Sequence, residues 1–552
     1  MTLLASAQQL SCLSGRIFAN PRWRLGLILL LATALRVERI RQPYLDAFSW
    51  RQSDAAMIAD NYYRYDHNIL YVEVSWNGPG KTYQGREFQT VTYISASLYP
   101  LLGQHDWVGR SVAVAFGLWG IIALYQVVRL AWRDDYALLA ALLMAIMPGA
   151  IFMERSFLPD PAMVALMVTS LWLWLHYLRT GRSRYLILAG LFGAWGACTK
   201  ITGLIIGLPM AYAWFALTDP QHRWRRQSLM PGALFAALIL VPTAAYYLWA
   251  RHLALSNPPF HFAGAGRWLW DSTIEKWVSE QYYLPELLRH TRDWLWRWPV
   301  ISLVTLGLLF RPPTQPSEMT SHEAPCPQRA PWLFHWWLIA GVIYYFIGAR
   351  ELVENPWNLH LMNPAAAAIC AYAIGRITVA VSRSRRSGAL LAWVIALAML
   401  LAIWLVGRVG LNWMRHPYAY DDYSMGLALG DVTTSDELVV TITSDLGDPV
   451  AIFYSRRRGW PFPPLRPFLG WNRLPATDRR AIDLFEDLRA QGAGWLGIVA
   501  PRREALQQQY PDFMAHLRQS TALWSENEQY TIYRIEPPHH IPLSYPSKQK
   551  EP

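Results

Sequence analysis

Charge is scarce in this chain. Only 16% of its 552 residues are Asp, Glu, Lys or Arg, against 53% hydrophobic, whereas soluble domains carry nearer a quarter charged. Cysteine is scarcer still. Cys12, Cys198, Cys326 and Cys370 form no CxxC pair and none lies in the long C-terminal tail, so neither a structural disulfide nor a zinc site is expected. Lysine is rare beside arginine, from which no function follows. The first apolar run has no small-residue cleavage site after it, so it reads as an uncleaved span and not as a signal peptide. What the chain has instead is 29 Trp, 28 Tyr and a series of long apolar runs. That is the composition of a polytopic membrane protein, whose aromatic rings collect at the two interfaces. The formal charge of +11 then records topology and contact with anionic lipid, not nucleic acid.

A spanning helix takes about 20 largely apolar residues. Candidates lie near 24–40, 108–130, 137–153, 162–178, 186–198, 201–217, 230–249, 299–310, 332–348, 362–380 and 388–407, about eleven spans. As one helix, 186–217 would be roughly 48 Å long, too long for a hydrocarbon core of about 30 Å. The Arg-rich flanks "LRTGRSRY" and "HRWRRQ" both belong on the cytoplasmic side, which predicts two short helices turning near Lys200. Arg16, Arg22 and Arg24 put the N-terminus on that side, and "SRSRRSG" is a third basic turn there. The C-terminus is then extracytoplasmic. The outer segments are 43–106, 250–298 and the tail from 409. The Pro-rich stretch 311–331 reads as a cytoplasmic linker. In the tail, "LVVTIT", "PVAIFYS", "WLGIVA" and "YTIYRI" read as strands, and "AIDLFEDLRAQ" and "EALQQQYPDFMAHL" as helices. Together they predict a small α/β domain over 411–540, with 541–552 as a disordered tail.

Ionisable groups near a membrane are costly and mark function by default. On the predicted outer side lie Asp46, Asp54 and Glu87 of the first loop, and Arg155 and Asp160 in "ERSFLPDP". Lys200, Glu351, Glu354 and His360 join them. Each also has a structural reading. Asp160 before Pro161 is a helix start, Asp54 pairs with Arg51 on one helical face, and Glu87 pairs with Arg86. Asp60 and Arg64 form an i,i+4 ion pair. Lys200 snorkels to the interface, and His360 is an interfacial hydrogen-bonder with no second histidine at metal-ligand spacing.

Five stretches together suggest a family. "LDAFSWRQSDAAMIADNYY" opens the first loop after one span, and "GREFQTVTYISASLYPLLG" follows further along it. "ERSFLPDPAMVAL", "GACTKITGL" and "NLHLMNPAAA" come later, in that order. In order and sidedness they resemble the GT-C superfamily of lipid-linked-sugar transferases. The likeness is to the bacterial branch related to protein O-mannosyltransferases and aminoarabinose transferases, and it covers residues 24–410. It implies a GT-C-like helical membrane domain over 1–410 carrying the outer α/β domain, in a bacterial inner membrane. Two departures stand out. Where many members carry an Asp-Glu pair, this chain has Arg51 and Gln52, and where relatives have an aromatic before the late Pro it has His360.

The resemblance implies an inverting glycosyltransferase that needs no cofactor and no metal. A sugar would pass from a polyprenyl-phosphate donor to a hydroxyl acceptor on a glycan, lipid or protein. The base would be Asp54 or Asp46, with Asp160 orienting the acceptor or ordering Arg155. Arg155, Lys200 and Arg51 would hold the departing phosphate, and Glu87 and His360 would contact the acceptor. The prenyl tail would lie in a groove between spans. The competing class is a transporter or flippase of lipid-linked sugars. It predicts two similar halves with ionisable groups at mid-membrane, but the halves differ and the acids gather at one edge.

Overall fold

The computed structural model describes residues 21–262, 283–313, 329–384, 388–465 and 473–537. Residues 1–20 with Arg16, most of the 311–331 linker, residues 263–282 of the 250–298 segment, part of the 383–386 basic turn and the 541–552 tail lie outside the described residues. The first half holds α1 (Pro21–Arg36), α2 (Ser49–Arg64), α3 (Thr90–Leu102), α4 (Asp106–Ala131) and α5 (Asp134–Ile146). It continues with α6 (Pro148–Arg155), α7 (Asp160–Thr180), α8 (Ser183–Thr199), α9 (Gly207–Leu217) and α10 (Arg226–Ser256). After α11 (Tyr283–His290) come α12 (Arg297–Leu309), α13 (Leu333–Glu354), α14 (Asn363–Ser384) and α15 (Gly388–Gly410).

Every apolar run read from the sequence carries a helix, but the helices differ in reach. Helices α4, α7, α10 and α15, and the continuous run Pro356–Arg383, are each long and apolar enough to cross a membrane. The run at 137–153 is a broken span: α5 and α6 meet at 65°, because Pro148 cannot donate back into the preceding turn. The protein is thus a multi-pass membrane protein whose shorter helices complete the bundle.

The hairpin expected at Lys200 forms. Lys200 leaves helical geometry (φ −160°, ψ 121°) after α8, and a tight turn over Ile201–Ile206 leads into α9. Helix α7 registers the fold-back. Its first residue, Asp160, meets Lys200, while Trp174 near its other end donates to the Met210 carbonyl of α9 at 3.1 Å. Small residues make this possible: a Cβ on Gly196 or Gly203 would lie 2.9 Å from Met167. Helix α10 packs along α8 and reaches past it to the first loop, where Tyr246 donates to the Arg86 carbonyl at 3.0 Å. Gly85 permits that approach, since a Cβ there would sit 2.2 Å from the Ala250 carbonyl oxygen.

The C-terminal region opens with α16 (Tyr420–Val432) and contains β1 (Leu438–Ile442), α17 (Val450–Ser455), β2 (Gly459–Pro461) and α18 (Asp478–Ala490). It ends with β3 (Ala493–Val499), α19 (Ala500–Gln509), α20 (Pro511–Ser520), β4 (Thr521–Glu526) and β5 (Tyr530–Ile535). The sheet order is β2-β1-β3-β5-β4, parallel across the first three strands and antiparallel across the last. All of β1 is buried, as befits a strand covered on both faces. "PVAIFYS", expected as a strand, is instead the helix α17. The Val450 amide donates to Asp448 Oδ1 at 2.9 Å, so an Asp-Pro start nucleates a helix in a run with strand composition. Pro511 divides the second expected helix into α19 and α20, and β4 was not anticipated.

Candidate active site

Two polar clusters gather at the end of the bundle where the first loop, the α6–α7 turn and Lys200 meet. One is closed. Asp46 has no exposed side-chain surface. Its Oδ2 accepts from Arg155 at 2.8 Å and Arg110 at 3.3 Å, and its Oδ1 accepts from Gln52 at 2.5 Å. Gln52 in turn accepts from the Phe157 amide at 3.2 Å, and Arg155 also donates to the Arg39 carbonyl at 3.2 Å. Beside this lies a second buried group. Arg36 pairs with Glu154 at 2.6 Å, and His360 Nε2 stands 3.7 Å from the other Glu154 oxygen. Asn363 Nδ2 lies 2.9 Å from His360 Nδ1, and Trp296 donates to Asn363 Oδ1 at 2.9 Å. Gly117 leaves the room for Glu154, since a Cβ there would lie 2.7 Å from it.

The other cluster is open at one edge. Arg51, on the first turn of α2, pairs with Glu87, and their side chains are 13% and 12% exposed. Asp54, one turn further on, pairs with Arg86 at 2.6 Å and accepts from Trp76 Nε1 at 3.0 Å through Oδ1. Lys200 donates to both Asp160 oxygens, at 2.7 and 2.8 Å, and is itself 12% exposed. The groups form one electrostatic unit: Arg51 feels Glu87, Asp54 and Asp160, and Glu87 feels Arg51, Arg86 and Lys200. Burial alone would raise the Glu87 carboxyl, but the two guanidiniums hold it at about 2, so it is ionised at any physiological pH.

The backbone here is stitched in place. The Phe88 amide donates to the Cys198 carbonyl at 2.9 Å, Thr90 and Thr199 share a hydroxyl contact at 2.6 Å, and the Ile201 amide donates to Tyr247 at 3.0 Å. These bonds tie loop one to the Lys200 turn.

These positions revise several sequence-based roles. Asp46 and Arg155 pair in a buried network that Arg110 shares, with no exposed side-chain surface. His360 is buried beside Glu154. Asp160 forms no capping bond at the start of α7 and orders Lys200, not Arg155. Glu87 pairs with Arg51, and Arg86 belongs to Asp54. Asp60 and Arg64 do pair, at 3.6 Å, but burial pushes the Asp60 carboxyl up to about 6 against the pull of Arg64. The side chains of Glu351 and Glu354 lie outside the described residues. Sequence reading gives no site role to Arg86, Arg110, Gln52 or Trp76. Arg86 sits in the quoted "GREF", whereas the Trp76 to Asp54 contact spans 22 residues and leaves no local signal.

Over about nine-tenths of its length this chain shares the GT-C fold with solved structures of low sequence identity. ArnT from Cupriavidus metallidurans, crystallised with undecaprenyl phosphate, aligns at 14% identity and TM-score 0.61 over 92% of this chain and 97% of ArnT. The apo form of ArnT gives 15% and 0.62. The apo oligosaccharyltransferase of Archaeoglobus fulgidus gives 13% and 0.59 over 87% of this chain and 69% of the other. Residues 90–249 match the profile of the dolichyl-phosphate-mannose-protein mannosyltransferase family. No curated protein matches the chain. By fold the chain is similar to the GT-C superfamily of polyprenyl-phosphate-sugar glycosyltransferases, and the profile match lies within residues 90–249.

Proposed function

We propose that the open cluster transfers a sugar from a polyprenyl-phosphate donor to a hydroxyl acceptor on the outer face of a bacterial plasma membrane, with inversion at the anomeric carbon. The observation that carries this reading is the convergence of Arg51 and Lys200 on the accessible edge beside the carboxylates of Asp54, Glu87 and Asp160. The departing phosphate is a dianion, and Arg51 offers it a planar fork while Lys200 offers a point charge. ArnT, crystallised with undecaprenyl phosphate, supports a donor of this class.

Asp54 is the proposed base. Trp76 fixes its Oδ1, and its Oδ2 lies 2.6 Å from an Arg86 guanidinium nitrogen; a base of this kind takes the proton in its ionised form. The acceptor oxygen bonds to the anomeric carbon and its proton passes to Asp54. The carbon–oxygen bond to phosphate breaks, and its electron pair leaves with the lipid phosphate. An apolar groove of about 520 Å³ lined by Leu204, Met210, Trp214, Phe235 and Ile239 starts one turn beyond Lys200. It suits the prenyl tail, with the phosphate at its mouth. Orientation follows the basic turns, which put the N-terminus in the cytoplasm and the C-terminal domain outside.

The test uses purified protein with radiolabelled undecaprenyl-phosphate glucose, mannose, galactose and arabinose, and cell-envelope extract as acceptor. The expected result is sugar loss from one donor with wild type and a fall of at least about 1000-fold in Asp54→Asn. Full transfer by Asp54→Asn would overturn the assigned base. Uptake of intact donor into vesicles without sugar release would support a flippase instead.

A further inference from the structure

Among the described residues the C-terminal domain contributes no side chain to the open cluster, yet it grips the loop that builds it. Strand β2 is the free edge of the sheet, and residues 75–78 of the first loop lie along it. The Gly459 amide donates to the Ser75 carbonyl at 3.0 Å, and the Gly78 amide donates to the Gly459 carbonyl at 2.9 Å. Arg458, next in chain, pairs with Glu73 and donates to the Gly80 carbonyl at 2.9 Å. Trp460 closes the contact. Gly78 sits at φ +97°, and a Cβ there would lie 2.8 Å from the Trp460 ring.

Trp76 lies in the middle of this bend and is 2% exposed. Its ring is part of one apolar core built from both regions, with Met57, Val72 and Val74 from the first loop and Met425, Val439 and Ile452 from the C-terminal domain. The core fixes the ring plane, and the indole N–H then reaches Asp54 Oδ1 at 3.0 Å. A second grip holds the start of the same helix, where Ser49 donates to Asp448 at 3.2 Å. Asp54 is therefore oriented by a helix and an indole that the C-terminal domain both hold.

We infer that the C-terminal domain is a positioning element of the reaction, in which strand β2 shapes the Ser75–Gly78 bend so that Trp76 holds the Asp54 carboxylate in its reactive orientation. This rests on Asp54 being the base. With the indole donor gone, Asp54 keeps only its Oδ2 contacts to Arg86 and Arg51, about which it can turn, and a carboxylate turned by about 10–20° no longer meets the acceptor proton.

The experiment compares full-length wild type, Trp76→Phe, Gly78→Ala and the double variant in nanodiscs, using the lipid-linked sugar that wild type turns over. Trp76→Phe keeps an aromatic ring in the core and removes only the donor, and Gly78→Ala disturbs the bend from the β2 side. The expected result for each is a fall in kcat of about 10- to 100-fold with KM for the donor unchanged, and an acid limb of the pH–rate profile moved to higher pH. The double variant falls no further than the worse single, because both act on one contact. Wild-type kcat and pH profile in both single variants, with Asp54→Asn inactive, would overturn the positioning role while leaving the base in place. An active Asp54→Asn would instead remove the base and this inference with it. A rise in donor KM without change in kcat would also contradict it, since Trp76 would then serve binding.

Discussion

The two ionic clusters use the same residue types and lie side by side, yet they differ in one property. In the closed cluster Asp46, Arg110 and Arg155 have no exposed side-chain surface. In the open one Arg51, Glu87 and Lys200 each keep about an eighth. A buried carboxylate shared by two guanidiniums is an anchor: it ties the first loop to α4 and α6, and its charge is cancelled before any ligand arrives. Partly exposed pairs are exchangeable, because an incoming phosphate can take the cation while water or substrate takes the anion. Access at Arg51, Glu87 and Lys200 distinguishes the second cluster, whose Asp54, Arg86 and Asp160 lie buried behind that edge.

The contrast has consequences of decreasing size. Asp46→Ala leaves two buried guanidiniums uncompensated, a loss of about 3–5 kcal/mol. The expected outcome is little folded protein by size-exclusion chromatography, with unchanged donor KM in whatever survives. A well-folded Asp46→Ala that had lost only donor affinity would move Asp46 into the open class. Glu87→Gln frees Arg51 without removing it, so binding of undecaprenyl phosphate should tighten a few-fold, as an equilibrium titration would show, while transfer slows. Weaker binding would mean that Glu87 itself contacts the ligand.

The smallest effect is on pH-dependent stability. Asp422, in α16, is buried, and although the Ser444 amide opposes the shift, burial pushes its carboxyl from 3.8 up to about 7. The folded state thus holds that proton more tightly than the unfolded chain. The stability it contributes is fully present below about pH 4 and is lost as pH rises through 7. Asp422→Asn should raise the apparent Tm at pH 8 and leave it unchanged at pH 4. An equal gain at both would point to packing and not ionisation.

Much of this was legible in the sequence, for identifiable reasons. Hydropathy located each apolar helix because burial in lipid demands long uncharged runs, and the basic flanks of 186–217 gave the Lys200 hairpin. Asp46, Arg51, Asp54, Glu87, Asp160 and Lys200, which the two clusters bring together, stand out in the sequence because charged side chains are rare here. Their pairing does not. Arg51 meets Glu87 across 36 residues, and Arg155 meets Asp46 across 109. Spacing therefore favoured local partners such as Arg86 for Glu87. Which cluster is sealed depends on how α4, α6 and the loop pack together, and no single segment encodes that. The helix at 450–455 misled for a related reason: its composition suits a strand, while Asp448 and the packing between sheet and loop decide otherwise.

The most direct test is equilibrium binding of undecaprenyl phosphate to nanodisc-embedded wild type and Lys200→Gln. If the open cluster is the phosphate site, wild type binds saturably and Lys200→Gln binds at least about tenfold more weakly, with the wild-type affinity falling as salt rises. Equal affinity of the two proteins would contradict the account, because the lipid phosphate would then sit away from the cluster.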